Sequence, residues 1–421
     1  MNIDSICKDL QDGASQLALH TAAQKNHALT CVAQAIKNNK NLILEANARD
    51  VQKARDKGMT ESLVERLALD EKKFNSILDS MNIIIAQRDP IGEQTAGWTT
   101  PNGMQIKQVR VPLGVVAIIY ESRPNVTVDA FSLAYKSGNA ILLRGSSSAL
   151  ESNTALTNAI KQGLVQAGND GVANSITLCP STDHSDVDQI LTAVGKIDVV
   201  LPRGSARLIN TVVQNARIPV IQTGAGICHL YVDSSADLNM ACKIAYNAKT
   251  QRPGACNAIE TILVNKEIAK DFLPLLAKEL NGKVTLKADD YSYSVLKDYG
   301  MEPCLLQKAQ ENDFGYEFLD LVAAVKTVQN VQEAITFINS HNTKHSECIV
   351  TNNRANARLF QSKIDAACVY VNASTRFTDG GEFGFGAELG ISTQKLHARG
   401  PMGINALTTT KYLIDGDGQT R

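Results

Sequence analysis

A chain of 421 residues with 44% hydrophobic side chains is long enough to build more than one core, and two or three domains are expected. Its 42 Lys and Arg against 43 Asp and Glu leave a formal charge of −1, which excludes a global basic field for nucleic acid or an anionic membrane surface. Nine cysteines, scattered singly with no CxxC pair and no Cys/His cluster of zinc-ligand spacing, argue against disulfides and against a structural metal.

The first residues, MNIDSICKDLQDGASQ, are acidic and lack an apolar core of signal-peptide length. The longest apolar run, Val111 to Tyr120, is broken by Pro112 and Gly114 and is far too short to span a bilayer. A cytoplasmic, water-soluble protein is expected. Residues 3 to about 88 read as amphipathic helices: Ala18, Ala22, Leu29, Val32 and Ile36 recur near a 3.6 period, and Leu42, Ile43, Ala46 and Val51 continue it. Thr60 is placed to cap a further helix. From Trp98 to Arg110, a Pro101-Asn102-Gly103 turn followed by alternating Met104-Gln105-Ile106-Lys107 predicts a β-hairpin. It reads equally as an arm toward a partner subunit or as a plain edge strand.

From 112 to 250, short apolar strands alternate with helical patterns. The strands are Val115–Tyr120, Ala140–Leu143, Ser175–Leu178, Val199–Leu201 and Pro219–Gln222. Helices are expected at Ala149–Gln166 and Ser185–Val194, with capping-box spacing between Ser185 and Asp188. That rhythm predicts a doubly wound parallel sheet, whose ligands sit beyond the carboxyl ends of its strands. Further strands at Ala258–Val264, Leu321–Val325, Glu347–Val350 and Val369–Asn372, with helices at Lys266–Leu280 and Val331–Ser340, predict a second α/β domain. The helix from Lys266 should close at Asn281-Gly282. A strand-like run, Leu407 to Ile414, closes the pattern.

The centre of the chemistry is Gln251-Arg252-Pro253-Gly254-Ala255-Cys256-Asn257, a tight loop that delivers one thiol just ahead of an apolar strand. A cysteine at such a junction has unclaimed backbone N–H groups nearby, which suits a thiolate nucleophile and the oxyanion it creates. Gly224-Ala225-Gly226 begins like a dinucleotide fingerprint, but His229 stands at the third glycine and a strand follows where the fingerprint opens a helix. Its glycines instead suggest a close passage of backbone, with the reactive thiol as one candidate neighbour. Better anion sites are Arg144-Gly145-Ser146 and Arg203-Gly204-Ser205, each a strand-to-helix turn with an arginine, a glycine and a hydroxyl. Glu121-Ser122-Arg123-Pro124-Asn125 follows another strand, where Arg123 and Asn125 are placed to hold an anion or polarise a carbonyl.

Together these segments resemble the aldehyde dehydrogenase superfamily. Ser137-Gly138-Asn139 through Arg144-Gly145-Ser146 is similar to its Gly-Asn…Lys-Pro-Ser turn, with arginine for lysine, and Gly204-Ser205 to its Gly-Ser turn. Gly254-Ala255-Cys256 resembles its Gly-x-Cys nucleophile, Glu317-Phe318 its motif that holds the nicotinamide ribose, and Phe383-Gly384-Phe385-Gly386 its closing segment. Glu121 to Thr127, Gln251 to Asn257 and His397 to Gly403 resemble one branch, which reduces L-glutamyl 5-phosphate with NADPH in proline synthesis. Where oxidising members carry a glutamate base this sequence has Gln222, which cannot take a proton from water.

The resemblance implies an N-terminal helical layer with an NADP-binding domain (1–96 and 113–250), a catalytic α/β domain (251–385), and an oligomerisation hairpin and strand (97–112 and 403–421). It implies Cys256 as nucleophile, Asn125 as an oxyanion donor, and Arg123, Arg252 and Arg399 as substrate ligands. Arg144, Gly145, Ser146, Gly204, Ser205 and Glu317 would hold NADP(H), with Arg144 toward the ribose phosphate. Implied partners are the substrate, further copies of the chain as a homo-oligomer, and glutamate 5-kinase as the upstream enzyme; neither nucleic acid nor membrane is among them. Rival readings are an NAD-linked oxidising dehydrogenase, against which Gln222 speaks, and an idle nucleotide-binding scaffold, against which Cys256 beside two Gly-Ser turns speaks.

Overall fold

In the computed structural model, which describes residues 2–180, 183–280 and 282–421 (the side chains of Ser62 and His184 apart), the two long sheets are both parallel. The chain divides into two compact units. One comprises Met1–Thr223, Gly380–Gly390 and Pro401–Arg421, and the other Gly224–Asp379 and Ile391–Gly400.

The first unit opens with helices Ile3–Leu17, Ala22–Asn38, Lys40–Asp56, Glu61–Leu67 and Glu71–Ala86. Thr21 and Gln24 form a capping box and Asp70 caps the last of these helices, whereas Thr60 occupies its cap position without a side-chain bond. Four strands follow, hydrogen-bonded in the order Ile176–Leu178, Ala140–Arg144, Val115–Tyr120, Val199–Arg203. Val115–Tyr120 is buried along its whole length, as its unbroken apolar run demands of a strand with neighbours on both sides. Leu10, Val115, Ala117, Leu142, Ile190, Val200 and Val212 belong to one core cluster of the unit.

Two expectations fail here for identifiable reasons. Pro219–Gln222 forms no strand, only a bridge between Val200 and Val220, because Pro219 has no N–H to continue a ladder. The capping box of Ser185 and Asp188 is absent, because the helix runs His184–Leu191 with Asp183 at its cap and Ser185 already inside it. The hairpin is present: Gln94–Thr99 pairs antiparallel with Gln105–Pro112, and Gly103 turns the chain at φ +91. Thr408–Asp415 then pairs antiparallel with Gln105–Pro112, making a three-stranded ribbon.

The second unit carries a seven-stranded parallel sheet. Its order is Leu306–Lys308, Thr285–Ala288, Val322–Val328, Ile259–Asn265, Cys228–Val232, Ser346–Val350, Cys368–Val371. Its crossover helices include Leu238–Thr250, Ala269–Glu279 and Val331–His341. The unit begins at Gly224 rather than at 251 because Cys228–Val232 is bonded on one side to Ile259–Asn265 and on the other to Ser346–Val350. Three of its elements, Thr285–Ala288, Asp290–Tyr299 and Leu306–Lys308, are invisible to the periodicity argument, the two strands being only four and three residues long. The expected helix closure falls partly outside the described residues at Asn281, while Gly282 has φ +69. No helix among the described residues is long and apolar enough to cross a membrane, and no group of three or more His, Cys, Asp or Glu among them is placed to hold a metal ion.

Candidate active site

In the second unit, the chain leaves helix Leu238–Thr250, turns through 251–258 and enters strand Ile259–Asn265. The turn is stacked on itself: Ala255 N–H donates to Arg252 O at 3.1 Å and Ala258 N–H to Ala255 O at 3.0 Å. Cys256 lies part-buried within it. The glycine of the rejected fingerprint finds its purpose here. A Cβ at Gly226 would stand 1.4 Å from Cys256 O and 2.8 Å from Cys256 Cα, so only glycine lets this backbone pass the thiol loop. Glu317 holds that passage in place, its Oε1 accepting from Gly226 N–H at 2.7 Å. Beneath it, buried Cys228 donates to Cys256 O at 3.3 Å, and burial pushes the Cys228 thiol well above its ordinary range.

Asn257, next to the thiol, fastens a second segment to the loop. Its Nδ2 donates to Thr378 O at 2.9 Å and Arg376 O at 3.3 Å, its Oδ1 accepts from the Arg376 guanidinium, and its carbonyl accepts from Thr375 Oγ1 at 2.6 Å. Arg376 Nε donates to Gln251 Oε1 at 3.0 Å. Neither Asn257 nor Arg376 was singled out by sequence reasoning. The available signal was a polar turn, Ser374-Thr375-Arg376, after an apolar strand.

The two ends of the loop are stapled by a buried ion pair that the sequence also conceals. Lys249 Nζ lies 2.6 Å from Glu260 Oε2, both side chains are 0% exposed, and Lys249 also donates to Ile259 O at 3.0 Å. Glu260 Oε1 accepts from Leu319 N–H at 3.2 Å. Burial pushes Glu260 up to about 7 and Lys249 down, each opposed by the other's charge.

Of the arginines expected on the substrate, Arg252 is exposed on the loop itself, and its charge is felt by Arg376. Arg399 instead donates to Asp365 Oδ1 at 2.7 Å, while Lys395 and Lys344 lie 3.1 and 3.4 Å from Oδ2. The Arg399 bond, then the two lysines, hold Asp365 down at about 2.

In the first unit, the polar turns all follow the carboxyl ends of the parallel strands. The chain adds Ala140–Arg144 on one side of Val115–Tyr120 and later Val199–Arg203 on the other, so the strand order reverses between Val115–Tyr120 and Val199–Arg203. Ligands of such sheets bind at that reversal. There Glu121 reaches across: Ser205 N–H donates to its Oε2 at 2.9 Å and Ser205 Oγ to its Oε1 at 2.6 Å. A Cβ at Gly204 would lie 2.6 Å from the Glu121 carboxyl carbon. The N-terminus of helix Ala206–Asn215 thus already holds an anion, one from its own chain.

On the other flank, the hydroxyls of Ser122, Ser148 and Ser146 form a chain with links of 2.7 and 2.8 Å. A Cβ at Gly145 would stand 2.3 Å from Asn153 Nδ2, and Arg144 donates to Gly145 O at 3.3 Å and Asp183 O at 3.4 Å. Arg123 lies in the tight turn between, its N–H donating to Glu121 O at 2.6 Å. Asn125 Nδ2 donates to Asp129 Oδ2 at 2.9 Å, and burial pushes Asp129 up to about 6 against that bond and the charge of Arg203.

Parallel sheets with these turns and this thiol loop define an aldehyde dehydrogenase-type fold. The aldehyde dehydrogenase family model matches residues 1–293 and 281–412, and the chain belongs to that family of nicotinamide-dependent oxidoreductases. Within it, the chain is 50% identical over 412 residues to the gamma-glutamyl phosphate reductase of Moorella thermoacetica, covering 98% of this chain and 96% of that one. The crystal structure of gamma-glutamyl phosphate reductase from Thermotoga maritima matches with a TM-score of 0.95 at 45% identity, over 100% of both chains. An acetylating aldehyde dehydrogenase from Geobacillus thermoglucosidasius, at 15% identity and a TM-score of 0.72 over 100% of this chain and 97% of that one, shares the fold. The resemblance read from the motifs is borne out.

Proposed function

We propose that this chain reduces L-glutamyl 5-phosphate to L-glutamate 5-semialdehyde and phosphate with NADPH, through a thioester on Cys256, as the second step of proline synthesis from glutamate. The observation that carries this reading is the loop around Cys256. Gly226 gives it room, Glu317 and Asn257 brace it, Arg252 lies on it and Arg376 is bonded to its Gln251 and Asn257. Such a loop presents a thiol in an electropositive, partly exposed setting, where the thiolate is the favoured nucleophile.

Cys256 attacks the acyl carbon and phosphate departs as a good leaving group, so no strong general acid is called for. The Cys256 N–H and the Asn125 amide are the proposed oxyanion donors, Asn125 being held in orientation by Asp129. On this reading the dinucleotide lies on the first unit, where the strand order reverses. There Ser205 N–H and Oγ hold the Glu121 carboxylate, whose place a bound phosphate would take, and Gly145 and Gly204 leave room for Asn153 and Glu121 of the chain itself. Arg144, Gly145, Ser146, Gly204 and Ser205 would hold the phosphates, and Glu317 the nicotinamide ribose. NADPH, when bound, supplies the hydride that takes the acyl group to the aldehyde.

The test is the reverse reaction, reduction of NADP by glutamate semialdehyde. It should require inorganic phosphate, and turnover that proceeds equally well without phosphate would refute the reading. Gln222 bears on the same point. Gln222→Glu should raise the fraction of acyl groups lost to water rather than reduced, measured as glutamate against semialdehyde; an unchanged ratio would remove the protective role from Gln222.

We also propose that the ribbon of Gln94–Thr99, Gln105–Pro112 and Thr408–Asp415 joins copies of the chain. Trp98, Tyr412, Leu413 and Ile414 are exposed on it, an apolar surface that a lone subunit leaves in water. Ile414→Glu should shift the mass seen by light scattering toward the single chain, and an unaltered mass would place any interface elsewhere.

A further inference from the structure

Around Cys256 the structure holds a cation whose hydrogen bonds go to neutral amides. Arg376 is half-buried, and its guanidinium is held by neutral amides, those of Asn257, which follows Cys256 in the chain, and of Gln251, which precedes it, the latter at 3.0 Å. The carboxylate of Asp379 acts on it through its charge. Burial, followed by the neighbouring charge of Arg252, pushes its ionisation down, while Cys256 and Asp379 oppose them. A half-buried guanidinium bonded to neutral amides beside a second cation favours an arriving anion.

We propose that Arg376 and Arg252 form an anion-binding pair that takes the phosphoryl group of the substrate beside Cys256. The assignment rests on the functional reading above. Asn257 is the reason the pair exists. Its four bonds to Thr375, Arg376 and Thr378 fix the 374–378 turn on the loop, and the same guanidinium reaches Gln251. The bond of Arg376 to Asn257, the residue next to Cys256, selects the phosphoryl end of the substrate over the α-carboxylate. The phosphate is bonded to the carbonyl carbon under attack, whereas the α-carboxylate lies at the far end of the glutamyl chain.

In the step concerned, the Cys256 sulfur forms a bond to the acyl carbon, the bond from that carbon to the phosphate oxygen breaks, and the electron pair leaves with phosphate. No redox change occurs. Charge grows on the phosphate oxygens as the bond breaks, and the planar guanidinium of Arg376 meets that growth with parallel N–H donors in a way that a lysine ammonium does not.

The experiment is the reverse reaction of wild type, Arg376→Gln and Arg376→Lys, with initial rates measured against inorganic phosphate and against semialdehyde. Arg376→Gln should raise the KM for phosphate by about tenfold or more, equivalent to about 1.4 kcal/mol. The KM for semialdehyde should change far less, and Arg376→Lys should fall between. A rise confined to the semialdehyde KM would assign Arg376 to the α-carboxylate and overturn the proposal, as would no change in either. Alkylation of Cys256 by iodoacetamide supplies a readout independent of turnover. Inorganic phosphate should slow it in wild type and not in Arg376→Gln, and protection retained in the variant would count against the pair. Should Arg376→Gln not fold, Arg376→Lys decides on the same constants. A wild type without phosphate-dependent turnover overturns the functional reading and this assignment with it.

Discussion

Cys256→Ala should lose phosphate-dependent turnover by more than about 10⁴-fold, because no other group on the loop can form the acyl-enzyme and covalent nucleophiles carry effects of at least that order. The fold should survive. The side chain is small and part-buried, and the loop is held by Gly226, Asn257 and the Lys249–Glu260 pair rather than by the sulfur. Circular dichroism and thermal unfolding should therefore match wild type while the rate disappears. Retention of more than a small residue of activity would mean that another of the nine thiols, or none, is the nucleophile. Cys228→Ala is the companion control. That thiol is fully buried and pushed well above its ordinary ionisation, so its loss should leave the reaction largely intact.

The largest effect on stability is expected from breaking the staple beneath the loop. Lys249→Met leaves Glu260 buried without its cation, and Glu260→Leu leaves Lys249 buried without its anion. Either should cost roughly 3–5 kcal/mol, whereas the double change should recover most of that loss, since apolar replacement of a whole buried pair is often neutral. Chemical denaturation of the two single variants and the double variant measures this directly; additive losses would show that the pair does not act as a unit. The sign of the pH dependence follows. Burial raises Glu260 in the fold above its ordinary 4.5, so the folded state of Lys249→Met binds more protons than the unfolded chain, and its stability should fall as pH rises above 4.5. Because Lys249 and Glu260 bracket the 251–258 turn, both single variants should also lose activity.

Much of the fold is legible without coordinates, for a reason visible in single elements. Val115–Tyr120 is a continuous apolar run and is found with those same bounds, because a central parallel strand has no face left for polar residues. The hairpin turn at Pro101-Asn102-Gly103 is legible because a residue at φ +91 is best supplied by glycine. Reading fails where an element is too short to show a period, as at Leu306–Lys308, or where a residue type forbids what its neighbours suggest, as at Pro219. The thiol loop was readable because its parts are contiguous. Arg376 was not, because its connection to the thiol passes through Asn257, 119 positions away along the chain.

The sequence by itself carried the family resemblance: a cysteine in a Pro-Gly turn before a strand, and strand-to-helix turns that each bring an arginine, a glycine and a hydroxyl to a helix N-terminus. These are local properties, set by backbone freedom, side-chain basicity and the dipole of a helix, so adjacent residues suffice to state them. Only the tertiary structure decided the company each group keeps. It placed the Glu121 carboxylate on Ser205, 84 positions on, set Gly226 against Cys256, gave Arg399 to Asp365, and buried Lys249 on Glu260. Hydrogen bonds and ion pairs depend on distance in space, and in a parallel sheet every neighbouring strand is a crossover away in sequence, so no local pattern could have announced them.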